Sequence, residues 1–352
     1  MIKLVKKTAA LLLVTAMAMT CFAGCGKNKD VAIDPTEVVM TVGDTEVTMD
    51  MANFFVRYNQ SLMESVYTSY IGEDVWIQEV EDGKTYEENL KETLLEEFKN
   101  LYIVVAHAED YRVALTDDEK AAIEKAVESF VKENEGKDSL DQVSASKEIV
   151  TEYLTLYTLN HKVGEAMRND VNKEVTDEDA AQKRARYVVY EKETDNGDGT
   201  TTKLSDKEIK KAQKDAAAFL KGAKANGSME AYATEKGTAT KTLTFDKDNT
   251  SLDEKVIKAA DKLKENEFSE VIETEDGIYV LQLESEFDKD ATDAAKEGVL
   301  TKRQEARYEE LLEKWTKDTK VTVKEEVWNK ISVQGLKVVY EQDPEEEKED
   351  EK

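Results

Sequence analysis

Proline is almost absent from this chain, and this constrains the fold more than any other sequence feature. Of 352 residues only Pro35 and Pro344 are prolines. Proline removes a backbone donor and clashes inside a helix, so the roughly three hundred residues between them can form long helices without a breaker. With 40% hydrophobic and 36% charged residues, the chain can also build packed cores. The sequence therefore predicts a helix-rich, folded protein of about two domains.

Cysteine and histidine are equally scarce. Cys21 and Cys25 are the only cysteines, which excludes a disulfide framework, a thiolate metal site and a cysteine nucleophile from the rest of the chain. His107 and His161 fall on separate predicted helices, and each is expected to be a packed, hydrogen-bonded side chain. They form no metal-binding pattern, and the sequence contains neither a phosphate loop nor a G-x-S-x-G elbow. We expect no metal and no other cofactor.

The charge of the chain excludes a further class of partner. The formal net charge is −28. Residues 1–24 carry three lysines and no acidic residue, so their removal would make the charge more negative still. A body this acidic repels nucleic acid and anionic lipid head groups. We expect no nucleic-acid partner.

The first residues have the layout of a bacterial export signal. Three lysines precede Thr8–Met19, an apolar run of 12 residues that is too short to cross a bilayer core of ~30 Å and typical of a signal peptide. The following Phe22–Cys25, FAGC, resembles a lipobox, with phenylalanine in place of the usual leucine. This resemblance implies a signal peptide over 1–24, lipid attachment at Cys25 and a tether over 25–37. The alternative is ordinary secretion with an incidental cysteine.

The pattern of residues 38–174 predicts two short strands followed by helices. Two β-prone runs flank Gly43–Asp44. Apolar residues then recur every three or four positions, which indicates helices with one buried face. The helices are expected through Phe54–Leu62, from near Thr85, from the capping box at Thr116–Glu119, and over Lys147–Met167. The last helix carries Val150, Leu154, Tyr157 and His161 on one side.

Residues 175–289 have a different pattern, typical of a small α+β domain. Asp195–Thr200 is read as a turn, because its glycines fall where a calcium loop needs ligands. The expected order is a short helix capped by Thr176–Asp179, a strand over Arg184–Glu193, helices after Ser205, over Gly227–Gly237 and over Leu252–Leu263, and a hairpin over Phe268–Ser285 that turns at Asp276–Gly277.

This order resembles the parvulin-type prolyl isomerase domain of the PrsA and SurA foldases. The stretches that carry the resemblance are ARYVVY (Ala185–Tyr190), SMEAYATEKG (Ser228–Gly237) and NEFSEVIETEDGIYVLQL (Asn266–Leu283). VGDTEVTMDMANFF (Val42–Phe55) resembles the N-terminal chaperone segment of the same family.

The resemblance implies an α+β protein that is mostly helical. Its chaperone domain would begin with residues 38–174 and be completed by a C-terminal helix within 290–340. The parvulin-like domain, 175–289, would be inserted between these two parts. The last segment, 341–352, is dominated by acidic residues and is expected to be a disordered tail.

The resemblance also identifies candidate site residues. Parvulins use two core histidines and a nearby aspartate or cysteine, whereas this chain has Tyr187 and Tyr279 at the histidine positions. The glycine-rich stretch of the family is replaced by Ala239–Asn249. We expect the two tyrosines to pack as an aromatic pair on neighbouring strands and the isomerase domain to be degenerate. The alternative is that the tyrosines keep a polar role toward a prolyl bond.

Three functional hypotheses follow. The first is a membrane-anchored chaperone on the extracytoplasmic face, whose partners are unfolded or partly folded secreted polypeptides. The second is an active peptidyl-prolyl isomerase with a nonstandard site. The third is a solute- or cell-wall-binding lipoprotein. The sequence identifies neither the clients nor the client-binding groove, and it leaves formation of a homodimer open.

Overall fold

The computed structural model of the chain describes residues 19–22, 33–71, 74–81, 83–134, 139–335 and 337–340. These residues form two compact units. Unit 1 consists of the described residues up to Val171 together with those from Gln304 onward, and unit 2 is Asn172–Arg303. The fold class is α+β, as the sequence predicts.

The first part of unit 1 is a short sheet followed by long helices. Its elements are β1 (Met19–Phe22), β2 (Val38–Val42), β3 (Thr45–Thr48), α1 (Met49–Ile71), a 3₁₀ turn (Val75–Ile77), β4 (Glu79–Glu81), β5 (Lys84–Thr85), α2 (Tyr86–Ala106), α3 (Asp117–Glu133), α4 (Ser139–Gln142) and α5 (Lys147–Asn169). Capping boxes start two of these helices, at Thr85–Glu88 and at Thr116–Glu119, because each threonine and glutamate satisfies a backbone N–H of the other residue. The predicted elements between 38 and 169 are confirmed.

Unit 2 is an antiparallel sheet with helices on both faces. Its elements are β6 (Lys183–Glu191), β7 (Glu193–Asp195), β8 (Thr201–Lys203), α6 (Asp206–Asn226), α7 (Met229–Lys236), β9 (Lys241–Phe245), α8 (Glu254–Asp261), β10 (Ile272–Glu273), β11 (Gly277–Ser285) and the start of α9 (Lys289–Asp318). The strand order in the sheet is β10-β11-β6-β9. One sheet face packs on α8 and the other on α6 and α7, since alternate side chains of a strand point to opposite faces.

The last part of the chain returns to unit 1, as the sequence predicts. After α9 come β12 (Val321–Val323), α10 (Glu325–Trp328) and β13 (Lys337–Tyr340). Strand β12 pairs antiparallel with β2, so that the sheet of unit 1 has the order β12-β2-β3. Leu311, Trp315 and Trp328 belong to the same hydrophobic core as the first helices. The core of unit 1 therefore needs both ends of the chain.

Trp315 fixes the second half of α9 on this core. Its indole stacks on the ring of His107, with centroids 3.9 Å apart and planes 11° apart, and Tyr111 meets the indole edge-on. His107 lies at the C-terminal end of α2 and its Nδ1 hydrogen-bonds to Asp110 at 2.7 Å. The expectation of a packed, hydrogen-bonded His107 is confirmed.

The expectation of a packed His161, on the same buried side of α5 as Val150 and Leu154, is wrong. Val150 and Leu154 are buried, but His161 and Tyr157 are exposed. The C-terminal half of α5 buries another side, where Val163 and Met167 enter the core. Tyr308 of α9 lies there, beneath the guanidinium group of Arg168 at 4.1 Å. Packing of α9 therefore determines which side of this half of α5 is buried, and it is not the side that the spacing of the apolar residues predicts.

The short helix predicted after Thr176 is also wrong. Thr176 and Asp179 do form reciprocal capping hydrogen bonds, but residues 177–180 form only a turn. Strand β6 begins at Lys183, which leaves too few residues for a helix to propagate beyond its first turn.

Several predicted features of the termini lie outside the described residues. These are Cys25, most of the signal peptide and the tail over 341–352. Strand β1 pairs antiparallel with β13. Among the helices that the structure describes, none combines the length and the apolar composition needed to cross a membrane.

Truncation of Trp315 tests the contribution of the returning helix. We expect Trp315→Ala to destabilise unit 1 by about 3–5 kcal/mol, because a buried indole and its stacking on His107 are lost. Amide hydrogen exchange should show loss of protection in α2 and in β2, whereas the strands of unit 2 keep theirs. Lys314→Ala, at an exposed position of the same helix, is the control. Unchanged protection of α2 in the tryptophan variant would contradict the role assigned to this helix.

Candidate functional site

Strands β6 and β11 bring together the two tyrosines that the sequence identifies. The strands are antiparallel, with Tyr187 opposite Leu281 and Tyr279 opposite Val189. Tyr187 and Tyr279 are therefore diagonal neighbours on the α8 face of the sheet, within reach of each other's rings. Their ring centroids lie 6.0 Å apart and the planes are tilted by 37°.

The tyrosines form part of the floor of an open cavity of about 280 Å³. Val189 and Leu252 complete the apolar part of this floor. Tyr187 and Tyr279 are each 8% exposed, so most of each ring is covered by the sheet and α8. We name this cavity the tyrosine pocket. It offers an apolar surface with two phenol groups.

The two phenol hydroxyls have no protein partner among the residues that the structure describes. Neither hydroxyl is among the buried side-chain atoms of the described residues that lack a hydrogen bond. Each hydroxyl of the pocket therefore reaches solvent. Burial raises the pKa of Tyr279, and so do Tyr187 and the acidic Asp276 and Asp253 nearby. Tyr279 consequently stays protonated at neutral pH and can donate a hydrogen bond.

The rim of the tyrosine pocket is acidic. Four carboxylates line it, from Glu191, Glu193, Asp195 and Asp276, together with one ammonium group, from Lys241. Lys241 lies across the β6–β9 ladder from Tyr187, and its Nζ is 3.6 Å from Oε1 of Glu191.

The two acids on β7 are held by local hydrogen bonds. Glu193 accepts from the hydroxyl of Thr201 at 2.6 Å and Asp195 accepts from the backbone N–H of Gly197 at 2.8 Å. The β7–β8 hairpin thereby holds two carboxylates beside the apolar floor. Its tip is the turn expected at Asp195–Thr200. In the described ranges no three His, Cys, Asp or Glu side chains are placed to hold a metal ion.

The backbone at Gly277 packs closely against the side chains of Val189 and Tyr279. Gly277 opens β11, and a Cβ added there would lie 2.8 Å from Cγ2 of Val189 and 3.2 Å from Cε2 of Tyr279. The glycine is therefore required by space, since its φ is not in the left-handed region. Thr274 closes the preceding turn, because its hydroxyl accepts from the N–H of Gly277 at 3.1 Å. The predicted hairpin is confirmed, although β10 is shorter than expected.

A second cavity, of about 550 Å³, lies at the other end of β6. Its charged groups are paired with one another. The guanidinium group of Arg186 contacts Glu230 and Glu284, and that of Arg184 contacts Glu284 and Asp288. These pairs satisfy the cavity's arginines, so it presents no uncompensated charge to a ligand.

Two parts of the site, strand β9 and the acidic rim, were not predicted from the sequence. Strand β9 lies within Ala239–Asn249. From the sequence this stretch was expected only to replace a glycine-rich segment, and no strand was predicted there. The alternation in Thr242–Phe245, with Leu243 and Phe245 buried and the threonines exposed, is the signal that could have identified it. The acidic rim was missed because β7, β8 and the turn before Gly277 meet only in the folded sheet.

Comparisons with known proteins agree with this architecture. Residues 179–297 match the family described as the PPIC-type PPIASE domain. The chain is 27% identical over 278 residues to the Foldase protein PrsA of Clostridium botulinum (strain Langeland / NCTC 10281 / Type F). That match covers 74% of this chain and 81% of the clostridial protein. Residues 179–297 thus resemble a PPIC-type PPIase domain, and the chain as a whole resembles a PrsA foldase. The predicted resemblance is confirmed.

Solved foldase structures also align along most of the chain. PrsA of Lactococcus lactis is 16% identical, with 83% of this chain and 97% of that chain covered and a TM-score of 0.33. PrsA of Streptococcus pneumoniae is 21% identical, with coverage of 72% and 97% and a TM-score of 0.29.

A pair of glycine substitutions tests the support of Tyr279. We expect Gly277→Ala to destabilise unit 2 by about 1–3 kcal/mol, because the new methyl group overpacks against Val189 and displaces the Tyr279 ring. Gly298→Ala is the matched control. Gly298 lies in α9 with nothing within 4 Å of an added Cβ, and alanine there should stabilise the helix by up to about 1 kcal/mol.

Hydrogen exchange of the β6 and β11 amides measures both effects, and the Tyr279 ring resonances report its displacement. Equal protection of these strands in the two variants would show that the space at Gly277 is not needed.

Proposed function

We propose that this protein is an extracytoplasmic foldase that holds unfolded secreted polypeptides, with a PPIC-type domain that binds prolyl segments and has lost most of its isomerase activity. The observation that carries the proposal is the combination of this domain with tyrosine at both positions where parvulins have histidine. Unit 1 acts as the holding body and unit 2 as a second binding module.

The surface of unit 1 supports a holding role. Leu62, Ile77 and Tyr157 are large apolar side chains with 41%, 56% and 40% exposure. An unfolded client exposes apolar segments, which bind such side chains by removing apolar surface from water. The strongly negative charge keeps the complex soluble, since like-charged complexes repel one another.

The chemistry of the tyrosine pocket explains the proposed loss of activity. Rotation about a prolyl bond faces a barrier of ~18–20 kcal/mol. An enzyme lowers this barrier only when its groups stabilise the twisted amide better than the planar amide. Two phenols beside an apolar floor can bind a planar prolyl segment through a carbonyl oxygen, which brings no such preference for the twisted state.

A second candidate function, an isomerase with a nonstandard site, is favoured by one observation. The hydroxyls of Tyr187 and Tyr279 have no hydrogen-bond partner among the residues that the structure describes and are not fully buried, so they could donate to an amide as it twists. The solute- or cell-wall-binding alternative receives no comparable support from the matched domain.

Two assays on the full mature chain separate holding from catalysis. We expect substoichiometric to equimolar protein to suppress aggregation of a reduced, unfolded secreted protein. We expect acceleration of proline-limited refolding of a model substrate to stay within about twofold of background, because a hydrogen bond from a phenol to the carbonyl oxygen forms with the planar amide as well as with the twisted amide. An unrelated protein of similar acidity controls for charge alone.

Failure to suppress aggregation would contradict the holding function. Strong acceleration that is lost in Tyr187→Phe and Tyr279→Phe would instead establish the second candidate.

Membrane attachment through Cys25 is part of the same proposal. Each buried methylene of an acyl chain contributes about 0.8 kcal/mol, so a multiply acylated cysteine is a durable anchor. The acidic body would remain in solution on the outer side, away from anionic head groups. We attach no role to a homodimer, which light scattering of the mature chain would reveal as a doubled mass.

Exchange of single cysteines tests the anchor. We expect Cys25→Ser to move the protein from the membrane fraction to the soluble fraction and to abolish labelling by a fatty-acid analogue, because the acylated thiol is absent. Cys21→Ser is the matched control and should leave both readouts unchanged. Continued labelling of the Cys25 variant by the fatty-acid analogue would exclude lipidation at this residue.

A further inference from the structure

We propose that the tyrosine pocket selects client segments in which a lysine or arginine lies next to an apolar or prolyl residue. The inference rests on the proposed function, since it names the class of segment that the PPIC-type domain binds. Three independent properties of the pocket carry it: its size, its hydrogen-bond donors and the charge of its rim.

The size of the cavity fits a short peptide element. Sites for drug-sized ligands and cofactors are generally ~300–1,000 Å³ and enclose most of the ligand. The tyrosine pocket has about 280 Å³ and opens to solvent. Its floor of Val189, Leu252 and the two tyrosine rings is apolar, so one apolar or prolyl side chain of a client can bury itself there while the rest of the segment lies outside.

The hydroxyl groups supply a polar contact for the client backbone. The side chains of Tyr187 and Tyr279 are more than nine-tenths buried and line the cavity with hydroxyls that lack a partner in the described structure. A protonated phenol donates a hydrogen bond, and the backbone of any client offers carbonyl oxygens as acceptors. The pocket therefore binds a peptide carbonyl beside the buried side chain without reading its sequence.

The rim adds the sequence preference. Its four carboxylates outnumber the single ammonium group of Lys241, which already lies near Glu191. No side-chain hydrogen bond to Asp276 occurs among the described residues, and Glu193 accepts only from the neutral hydroxyl of Thr201. Neither of these two carboxylates therefore forms an ion pair within the described structure, and the acidic groups of the rim outnumber its one lysine. A basic residue next to the buried side chain meets this charge, and an acidic residue is repelled.

The other cavity of unit 2 does not compete for the same ligand. Its arginines are paired with Glu230, Glu284 and Asp288, so a basic segment would find its acids already occupied. The net acidic rim with an apolar floor is thus a property of the α8 side of the sheet.

Peptide binding to the full mature chain tests the inference. The probes are three blocked, fluorescently labelled peptides of equal length, identical except for lysine, glutamine or glutamate before a single proline. We expect the lysine peptide to bind about threefold to fivefold more tightly than the glutamine peptide, because exposed ion pairs contribute modestly. The glutamate peptide should bind more weakly than either. High salt should reduce these differences.

Two variants locate the effect. The double substitution Glu193→Gln with Asp276→Asn should equalise the three affinities. Glu235→Gln is the matched control, because α7 covers the opposite sheet face. Tyr187→Phe with Tyr279→Phe should weaken all three peptides and keep their order.

Each remaining outcome has a distinct meaning. Equal affinities for the three peptides in the unmodified protein would overturn the charge preference, while suppression of client aggregation would keep the proposed function. A lysine preference that survives the double rim substitution would overturn the assignment to this pocket. No peptide binding together with no suppression of aggregation would overturn both the inference and the proposed function.

Discussion

The pairing of β6 with β11 is the interaction on which unit 2 and its site depend. The two strands are antiparallel and lie at the centre of the sheet. Their register places Tyr187 and Tyr279 on the face covered by α8 and places Val188 and Val280 on the face covered by α6 and α7. A slip of one residue would move every side chain of a strand to the other face. The tyrosine pocket and both hydrophobic layers are therefore fixed by the same hydrogen-bond ladder.

Unit 1 depends on a comparable long-range constraint, since its core is made from two distant parts of the chain. Besides the pairing of β12 with β2, the backbone N–H of Val333 donates to the buried carboxylate of Glu87 at 2.8 Å. The entropic cost of closing such a loop grows only logarithmically with its length. An intervening unit of this size is therefore tolerated, provided that the returning segment buries enough apolar surface, which Trp315 and Trp328 supply.

Local signals explain why much of this fold could be predicted from the sequence. The capping box at Thr116 and the periodic apolar residues of α2 specify helices through contacts within one or two turns. The same kind of signal misled at Thr176, where the caps formed but the following residues were drawn into β6. Burial of His161 was mispredicted for a related reason, because α9 determines which side of α5 is covered. Where a distant segment determines burial or secondary structure, the local spacing of residues cannot predict it.

The site shows the same division between local and tertiary information. The resemblance to parvulins predicts Tyr187 and Tyr279 as site residues, but the sequence could not give their diagonal placement or their open hydroxyls. The rim was still less accessible, because Glu193 and Asp276 are far apart in the chain and become neighbours of one cavity through the ladder between β6 and β11. In a chain with so many acidic residues, a single acidic residue does not predict a site. Glu193 and Asp276 become candidate site residues only because they lie beside the apolar floor.

The proposed function depends on the difference between the chemistry of a phenol and that of an imidazole. An unperturbed imidazole titrates near ~6.5 and can exchange donor and acceptor roles at neutral pH. The phenol of Tyr279, whose pKa burial raises further, remains a donor throughout that range. A phenol that stays protonated can donate a hydrogen bond to a carbonyl oxygen and so suits retention of a peptide segment. The surrounding carboxylates then determine which segments stay. The apolar floor, the phenol groups and the acidic rim therefore support the proposed binding role of the tyrosine pocket.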